Sequence, residues 1–170
     1  VRSVAFSPDG VTLASGSDDK SMRVWRAGDG ASLLTLKGHY SFVTSVAFSP
    51  DGLTLASGSG DNAVRLWRLA DGASFLSLIQ RAGSVTSVAF SPDGLTLAAG
   101  SDDTSVIIRR VRDGAPLLSL RGHSGSVTSV VFSPDGLTLA SSSLDHSVRL
   151  WRRADGVSLH SLQDPSGAVR

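Results

Sequence analysis

The tetrapeptide Ser-Pro-Asp-Gly occurs four times in this 170-residue chain, and successive copies are 42 residues apart. The copies begin at Ser7, Ser49, Ser91 and Ser133. In each case Val-Ala-Phe or Val-Val-Phe precedes the copy, and Thr-Leu-Ala follows after one intervening residue. Four copies without an insertion indicate one supersecondary unit repeated in tandem, which restricts the fold to a repeat architecture. The units span approximately residues 1–42, 43–84, 85–126 and 127–170.

Each unit reads as four strands separated by turn residues. In the second unit the strands are predicted at the following ranges: Ser45–Phe48, Thr54–Ser59, Ala63–Arg68 and Ser74–Leu78. Pro and Gly of the tetrapeptide suit the second and last positions of a tight turn. All 15 acidic residues are Asp, so the strong helix former Glu is absent. The sequence therefore predicts an all-β fold: a β-propeller made of four-stranded antiparallel blades, with four blades in this chain.

Charge and composition exclude several classes of function. The net charge of +1 gives no reason to expect a nucleic acid or an anionic membrane as a partner. The chain has no Cys, which excludes disulfides and thiolate metal sites, and no apolar run long enough to span a bilayer. We expect no cofactor and a cytoplasmic location. A start at Val1 rather than Met indicates an excerpt or a processed chain.

Several residues at fixed positions give the chain a family resemblance. Gly38-His39 and Gly122-His123 lie between units, an Asp follows in the second turn, and Trp lies six residues beyond that Asp. In this pattern the chain resembles the WD-repeat family over essentially its whole length. The resemblance implies a buried hydrogen-bonded tetrad of His, Ser, Asp and Trp in each blade. Carried over by position, its members are His39, Ser57, Asp61 and Trp67; then His123, Ser141, Asp145 and Trp151; and, without a His, Ser15, Asp19 and Trp25.

The third unit departs from this pattern at three positions. Arg81 stands in place of His, Ala99 in place of Ser and Arg109 in place of Trp, so only Asp103 remains. Two interpretations of Arg109 are open: it pairs with Asp103, or its guanidinium extends to the surface. The departure itself is either drift in a blade held by its neighbours or a local basic patch with a function.

The sequence favours a binding function over a catalytic one. Ser, His and Asp together resemble a hydrolase set, but here they recur as an interior network, so we expect no enzyme. Paired aspartates in the turns lack the six or more oxygen ligands of a calcium site, and we expect no metal. The leading prediction is a rigid WD-repeat scaffold that binds proteins or peptides. The alternatives are a structural, self-assembling repeat array with no dedicated ligand, and a sensor segment of a larger signalling protein.

In the family, partners dock on the narrow face of the ring. The residues carried over to that face as candidate contacts are Phe42, Tyr40, Leu144, Asp18, Asp102 and Arg2. Exposed aromatic residues on a rigid scaffold are good binding anchors. For Phe42 a second interpretation is equally open, in which its ring folds inward as loop packing.

Four blades do not make a closed ring of the usual seven or eight. The tail residues Val169-Arg170 repeat Val1-Arg2, so a second copy joined head to tail would keep the register. We therefore expect either two chains closing one eight-bladed ring with two-fold symmetry, or further blades in a longer parent chain.

Overall fold

The computed structural model describes residues 1–79 and 83–163, and within them every regular element is a strand. The strands form four antiparallel sheets of four, each built from four consecutive strands. The predicted fold class, all-β with four-stranded antiparallel blades, is confirmed. Arg81 and the tail that contains Val169 and Arg170 lie outside the described residues. No helix in the described part of the chain is long and apolar enough to cross a membrane.

The four blades share one order of strands, in which each strand pairs with the next. Blade 1 contains β1 (Ser3–Phe6), β2 (Thr12–Gly16), β3 (Ser21–Arg26) and β4 (Ser32–Lys37). Blade 2 contains β5 (Val43–Phe48), β6 (Thr54–Ser59), β7 (Ala63–Arg68) and β8 (Ser74–Ile79). Blade 3 contains β9 (Val85–Phe90), β10 (Thr96–Ser101), β11 (Val106–Arg110) and β12 (Pro116–Leu120). Blade 4 contains β13 (Val127–Phe132), β14 (Thr138–Ser143), β15 (Ser147–Arg152) and β16 (Ser158–Gln163).

Two strand ends in blade 2 differ from the sequence prediction. β5 begins at Val43, two residues before the predicted start, and β8 ends one residue later than predicted. Val43 pairs with Ser59, and the register then shifts before Ser45 pairs with Gly58. This β-bulge hides the start of the strand from a search for regular alternation, because one extra residue interrupts the period of two.

The Ser-Pro-Asp-Gly turns close the first hairpin of each blade through their own side chains. In blade 1 the Gly10 amide donates to the Ser7 carbonyl at 2.9 Å, and Gly10 has φ +71°, which favours glycine. The Ser7 hydroxyl oxygen accepts from the Thr12 amide at 2.9 Å, and Asp9 accepts from the Val11 amide at 2.9 Å. Ser, Asp and Gly of the tetrapeptide thus each contribute a hydrogen bond to the turn.

The chain divides into two compact units, unit 1 (Val1–Val85) and unit 2 (Thr86–Arg170), each holding two blades. In unit 1 the core between blades 1 and 2 consists of these buried residues: Ala14, Met22, Val24, Leu36, Val43, Val46, Leu55 and Trp67. In unit 2 the corresponding core consists of Ala98, Val106, Ile108, Leu120, Val127, Val130, Phe132, Leu139 and Trp151. Polar contacts also link the two blades of each unit: among them, Val46 N donates to Ser3 Oγ and Val130 N to Ser87 Oγ, both at 3.1 Å.

Glycine at the end of the second strand allows the two blades of a unit to approach closely. A Cβ at Gly16 would lie 2.7 Å from Val43 Cγ1, and one at Gly100 would lie 2.7 Å from Val127 Cγ1. Both valines are fully buried, so neither side chain has space to move away.

We predict that Gly16→Ala lowers the free energy of unfolding by about 1–3 kcal/mol, because the added methyl overpacks the core of unit 1. Gly28→Ala is the matched control, since a Cβ there meets no atom within 4 Å. The control should change stability by less than about 0.5 kcal/mol. Urea denaturation of both variants tests this, and equal stabilities would contradict the close packing of the two blades.

Candidate functional site

A continuous hydrogen-bonded network joins Trp67, Ser57, His39 and Asp61 in blade 2. Trp67 Nε1 donates to Ser57 Oγ at 2.9 Å, and Ser57 Oγ lies 2.7 Å from His39 Nε2. His39 Nδ1 lies 2.9 Å from Asp61 Oδ2. The His39 side chain has no exposed surface and that of Asp61 is 8% exposed, so the network lies in the interior.

The donors and acceptors of this network fix where its protons lie. The Asp61 carboxylate can only accept, so His39 Nδ1 carries the proton that it shares with Asp61. His39 Nε2 then accepts from the Ser57 hydroxyl, whose oxygen accepts from Trp67. Each polar atom in the series is used, and the Tyr40 amide adds a further donor to Asp61 at 2.7 Å. A fully satisfied buried network of this kind fixes one geometry.

Two strands and two loops bring the four residues together. Ser57 lies on β6, Trp67 on β7, Asp61 in the turn between them, and His39 in the loop after β4 of the preceding blade. The residue before His39 is Gly38, and a Cβ there would lie 3.1 Å from the Trp67 indole. The network thus ties blade 2 to the segment that arrives from blade 1.

Blade 4 repeats the arrangement with its own four residues. Trp151 Nε1 donates to Ser141 Oγ at 2.8 Å, and Ser141 Oγ lies 2.7 Å from His123 Nε2. His123 Nδ1 lies 2.9 Å from Asp145 Oδ2. The imidazole and indole centroids are 6.2 Å apart here, the same separation as between His39 and Trp67.

The electrostatics of the network favour neutral His39 and ionised Asp61. Burial lowers the pKa of His39 below its ordinary value of 6.5, and nearby Arg65 lowers it further, although Asp61 opposes both effects. Burial by itself would raise the pKa of Asp61. Hydrogen bonds from the Tyr40 amide, the His39 side chain and the Ala63 amide outweigh that effect, so the pKa of Asp61 lies below 3.8.

Blade 1 has half of the network among the described residues. Trp25 Nε1 donates to Ser15 Oγ at 2.9 Å. Asp19 accepts from the Ser21 amide at 3.0 Å and from the Ser21 hydroxyl at 2.6 Å, as Asp145 does from Ser147 in blade 4. The Trp25 side chain is half-buried, unlike Trp67 and Trp151.

The described residues of blade 3 form no such network. Arg109 Nη1 donates to the Gly114 carbonyl at 3.2 Å, and Asp103 accepts from the Ser105 amide and hydroxyl. Arg109 and Asp103 therefore do not pair. Burial lowers the pKa of Arg109, and its Nε atom is buried without a hydrogen-bond partner. Ala99 is buried and offers no hydroxyl to a neighbour.

Three of the predicted contact residues meet in unit 1. Arg2 forms an ion pair with Asp18, and its guanidinium carbon lies 4.3 Å from the centroid of the Phe42 ring. The Phe42 ring is half-buried against Gly60, where a Cβ would lie 2.6 Å from Phe42 Cζ. Tyr40 is 79% exposed. Phe42 thus packs inward on one side and is covered by Arg2 on the other.

The remaining predicted contact residues lie in unit 2. Leu144 is 46% exposed, and its amide donates to the Ser126 carbonyl at 2.9 Å. Asp102 is also exposed, in the turn that precedes Asp103. No group of three or more His, Asp or Cys side chains in residues 1–79 and 83–163 has the arrangement of a metal site.

Sequence reasoning missed two sets of arginine contacts. The Arg that follows each Trp, and its counterpart in blade 3, binds the turn Asp three residues further on at 2.8 to 3.0 Å: Arg26–Asp29, Arg68–Asp71, Arg110–Asp113 and Arg152–Asp155. The spacing of three residues in every unit was a sufficient signal. The second set consists of the contacts of Arg153, which forms an ion pair with Asp93 at 2.8 Å although the two residues are 60 positions apart. No local pattern in the sequence indicates that pair.

Comparisons with known proteins agree with this geometry. The family model described as "WD domain, G-beta repeat" matches residues 1–26, 30–68, 75–109 and 114–152, which is most of the chain. An uncharacterized WD repeat-containing protein of Nostoc sp. is 51% identical to this chain over 43 residues. That match spans 25% of this chain and 3% of the cyanobacterial protein.

We predict that Ser57→Ala lowers the free energy of unfolding by about 2–3 kcal/mol, because Trp67 and His39 both lose a buried partner. Ser15→Ala is the matched control and should cost about 1 kcal/mol, since only the half-buried Trp25 loses a hydrogen bond. Urea denaturation followed by tryptophan fluorescence measures both. Equal losses in the two variants would contradict the role of the complete network.

We also predict a stability that depends on pH. In the unfolded chain His39 takes up a proton below about pH 6.5, whereas in the folded chain its pKa is lower. The free energy of unfolding should therefore fall as the pH drops below about 6.5. Asp61 adds a second loss as the pH falls below about 4, because its pKa is lowered in the fold. Urea midpoints from pH 8 to pH 3 test this. His39→Gln should reduce the change in urea midpoint between pH 7 and pH 5. An unchanged pH dependence would contradict the lowered pKa of His39 in the fold.

Proposed function

Since the chain belongs to the WD-repeat family, we propose that it is a non-catalytic scaffold that binds protein or peptide partners. WD repeats in general form protein-interaction scaffolds. The observation that carries the proposal is the state of the Ser-His-Asp sets. Ser57 and His39 are buried, and their polar atoms are used inside the blade, as are those of Ser141 and His123. A nucleophile has to face a substrate, and these hydroxyls face the interior.

The binding surface that we propose lies around Arg2, Asp18, Phe42 and Tyr40 in unit 1. Arg2 and Phe42 hold each other in place, and the exposed Tyr40 ring lies 5.9 Å from the Arg65 guanidinium. Arginine and aromatic side chains that are already ordered lose little entropy on binding, which makes them effective anchors. Leu144 and Asp102 are the corresponding candidates in unit 2.

We predict that Tyr40→Ala weakens the binding of peptides selected against the 170-residue chain by tenfold or more, the effect of removing one anchor residue. Leu53→Ser is the matched control: it removes a large exposed apolar side chain of unit 1 at the turn between β5 and β6, whereas Tyr40 lies before the start of β5. Titration by fluorescence anisotropy measures both variants. A peptide library that yields no binder, or binders that tolerate Tyr40→Ala as well as the control, would count against the proposed surface.

A structural, self-assembling role is the second candidate, and the exposed blade faces favour it. Val4 and Phe6 of blade 1 are more than half exposed, whereas their counterparts in blade 2, Val46 and Phe48, pack in the core of unit 1. On the opposite face, Ala5 packs in that same core, whereas its counterpart Val131 in blade 4 is exposed. The exposed face of blade 1 therefore corresponds to the face that blade 2 buries in unit 1, and the exposed face of blade 4 corresponds to the face that blade 1 buries there. A second copy, or further blades of a parent chain, would cover them.

We predict that the purified chain has about twice its own mass in light scattering behind a sizing column. Phe6→Asp should convert the dimer to a monomer, because it places a charge in the contact, whereas Leu53→Asp should leave the dimer intact. A stable, folded monomer of the wild-type chain would rule out closure by a second copy.

A further inference from the structure

A groove in unit 2 combines an apolar lining with three arginines. It has a volume of about 470 Å³, within the usual range of ligand pockets. The turn after β9, the end of β11 and the start of β12 form one side, and blade 4 contributes Arg153. Its apolar lining residues are Leu95, Val111 and Leu117, and its cationic ones are Arg110, Arg112 and Arg153. Leu95 and Leu117 are both exposed, so the groove is open to solvent.

Two of the arginines are held in place by contacts within unit 2. Arg153 Nη2 lies 2.8 Å from Asp93 Oδ2, and the Arg153 guanidinium carbon lies 5.8 Å from the centroid of the Phe132 ring. Arg110 Nη1 lies 2.8 Å from Asp113 Oδ2. Each of these ion pairs leaves further N–H donors of the guanidinium unused, because arginine has five.

Arg112 carries a positive charge that no ion pair with a described residue neutralises. It forms no hydrogen bond or ion pair with any residue in 1–79 or 83–163, although its charge helps to lower the pKa of Asp113. The three guanidinium groups that line the groove therefore have two carboxylate partners, Asp93 and Asp113, neither of which lines it. An exposed, unpaired arginine beside leucine side chains matches a ligand with a carboxylate next to an aliphatic group.

The equivalent positions in unit 1 show that a blade forms without Arg112 or Arg153. Gly28 stands 84 residues before Arg112, and Leu69 stands 84 residues before Arg153. Leu69 packs against the core of unit 1, and Asp9, the counterpart of Asp93, bonds only within its own turn. Unit 1 forms the same two sheets without Arg112 and Arg153, although it keeps Arg26 at the position of Arg110. The fold therefore does not explain the presence of Arg112 and Arg153 in unit 2.

We propose that this groove binds a segment of a protein partner in which an aliphatic side chain lies next to a carboxylate. The aliphatic side chain packs on Leu95, Val111 and Leu117, and the carboxylate accepts hydrogen bonds from Arg112 and Arg153. A planar guanidinium binds a carboxylate through two parallel hydrogen bonds, which gives the contact direction as well as affinity. The inference rests on the proposed scaffold function and names one surface and one partner chemistry for it.

The test uses the full 170-residue chain and an acetylated, amidated peptide of sequence Gly-Leu-Asp-Leu-Gly. Its counterpart with Asn in place of Asp removes the charge alone. Titration followed by amide chemical shifts should move the signals of residues 94–96 and 110–117, and the Asn peptide should bind at least tenfold more weakly. Arg112→Gly, which introduces the residue found at the equivalent position 28 of unit 1, should weaken the binding of the Asp peptide to the same degree. The shifts also report whether each variant is folded.

Two variants make the result specific. Arg112→Lys keeps the charge but loses the planar donor pair, and should lie between the wild type and Arg112→Gly. Arg26→Ala alters the counterpart of Arg110 in unit 1 and should leave binding unchanged. Equal binding of the Asp and Asn peptides, or of the wild type and Arg112→Gly, would overturn the proposal. If the Asp peptide fails to bind while selected peptides still depend on Tyr40, the groove proposal fails and the scaffold function stands; if neither binds, both fail.

Discussion

One shared hydroxyl group is the contact on which the tetrad depends. Ser57 accepts from the Trp67 indole and donates to His39, so a single oxygen joins two strands of blade 2 to the segment arriving from blade 1. Ser141 makes the same two hydrogen bonds in blade 4, with Trp151 and His123. Buried polar groups are costly when unpaired, so each member of the network holds the others in place. The apolar core supplies the gain from burial, and the network selects one alignment of the strands.

The two units show how a repeat can keep its turns and core valines while other positions diverge. The Ser-Pro-Asp-Gly turns, the small residues at Gly16 and Gly100 and the valines of the cores keep their places in both units. Divergence occurs where a side chain reaches solvent, as at Arg112, and also inside blade 3, where Ala99 and Arg109 replace the Ser and Trp of the network. A rigid interior with variable edges is the arrangement expected of a binding scaffold, since function can change there without loss of the fold.

The fold could be predicted from the sequence because its signals are local and repeated. The turn residues mark each hairpin, and the spacing of 42 residues defines the blade. Features that depend on a bulge or on distant residues were beyond such reasoning. The bulge after Val43 hides the start of β5, and the Arg153–Asp93 pair joins two blades. For Phe42 the sequence left two interpretations open, and only the positions of Gly60 and Arg2 show its ring packed between them.

Exchange of the indole protons tests most directly the claim that the complete network fixes the blade. The chain has three tryptophans, Trp25, Trp67 and Trp151, so their indole N–H signals are easily resolved by NMR. We expect the Trp67 and Trp151 protons to exchange only when their unit unfolds, because each lies in a closed network. The Trp25 proton, which has a serine but no histidine beyond it among the described residues, should exchange at least tenfold faster. Equal rates for all three would contradict the central claim.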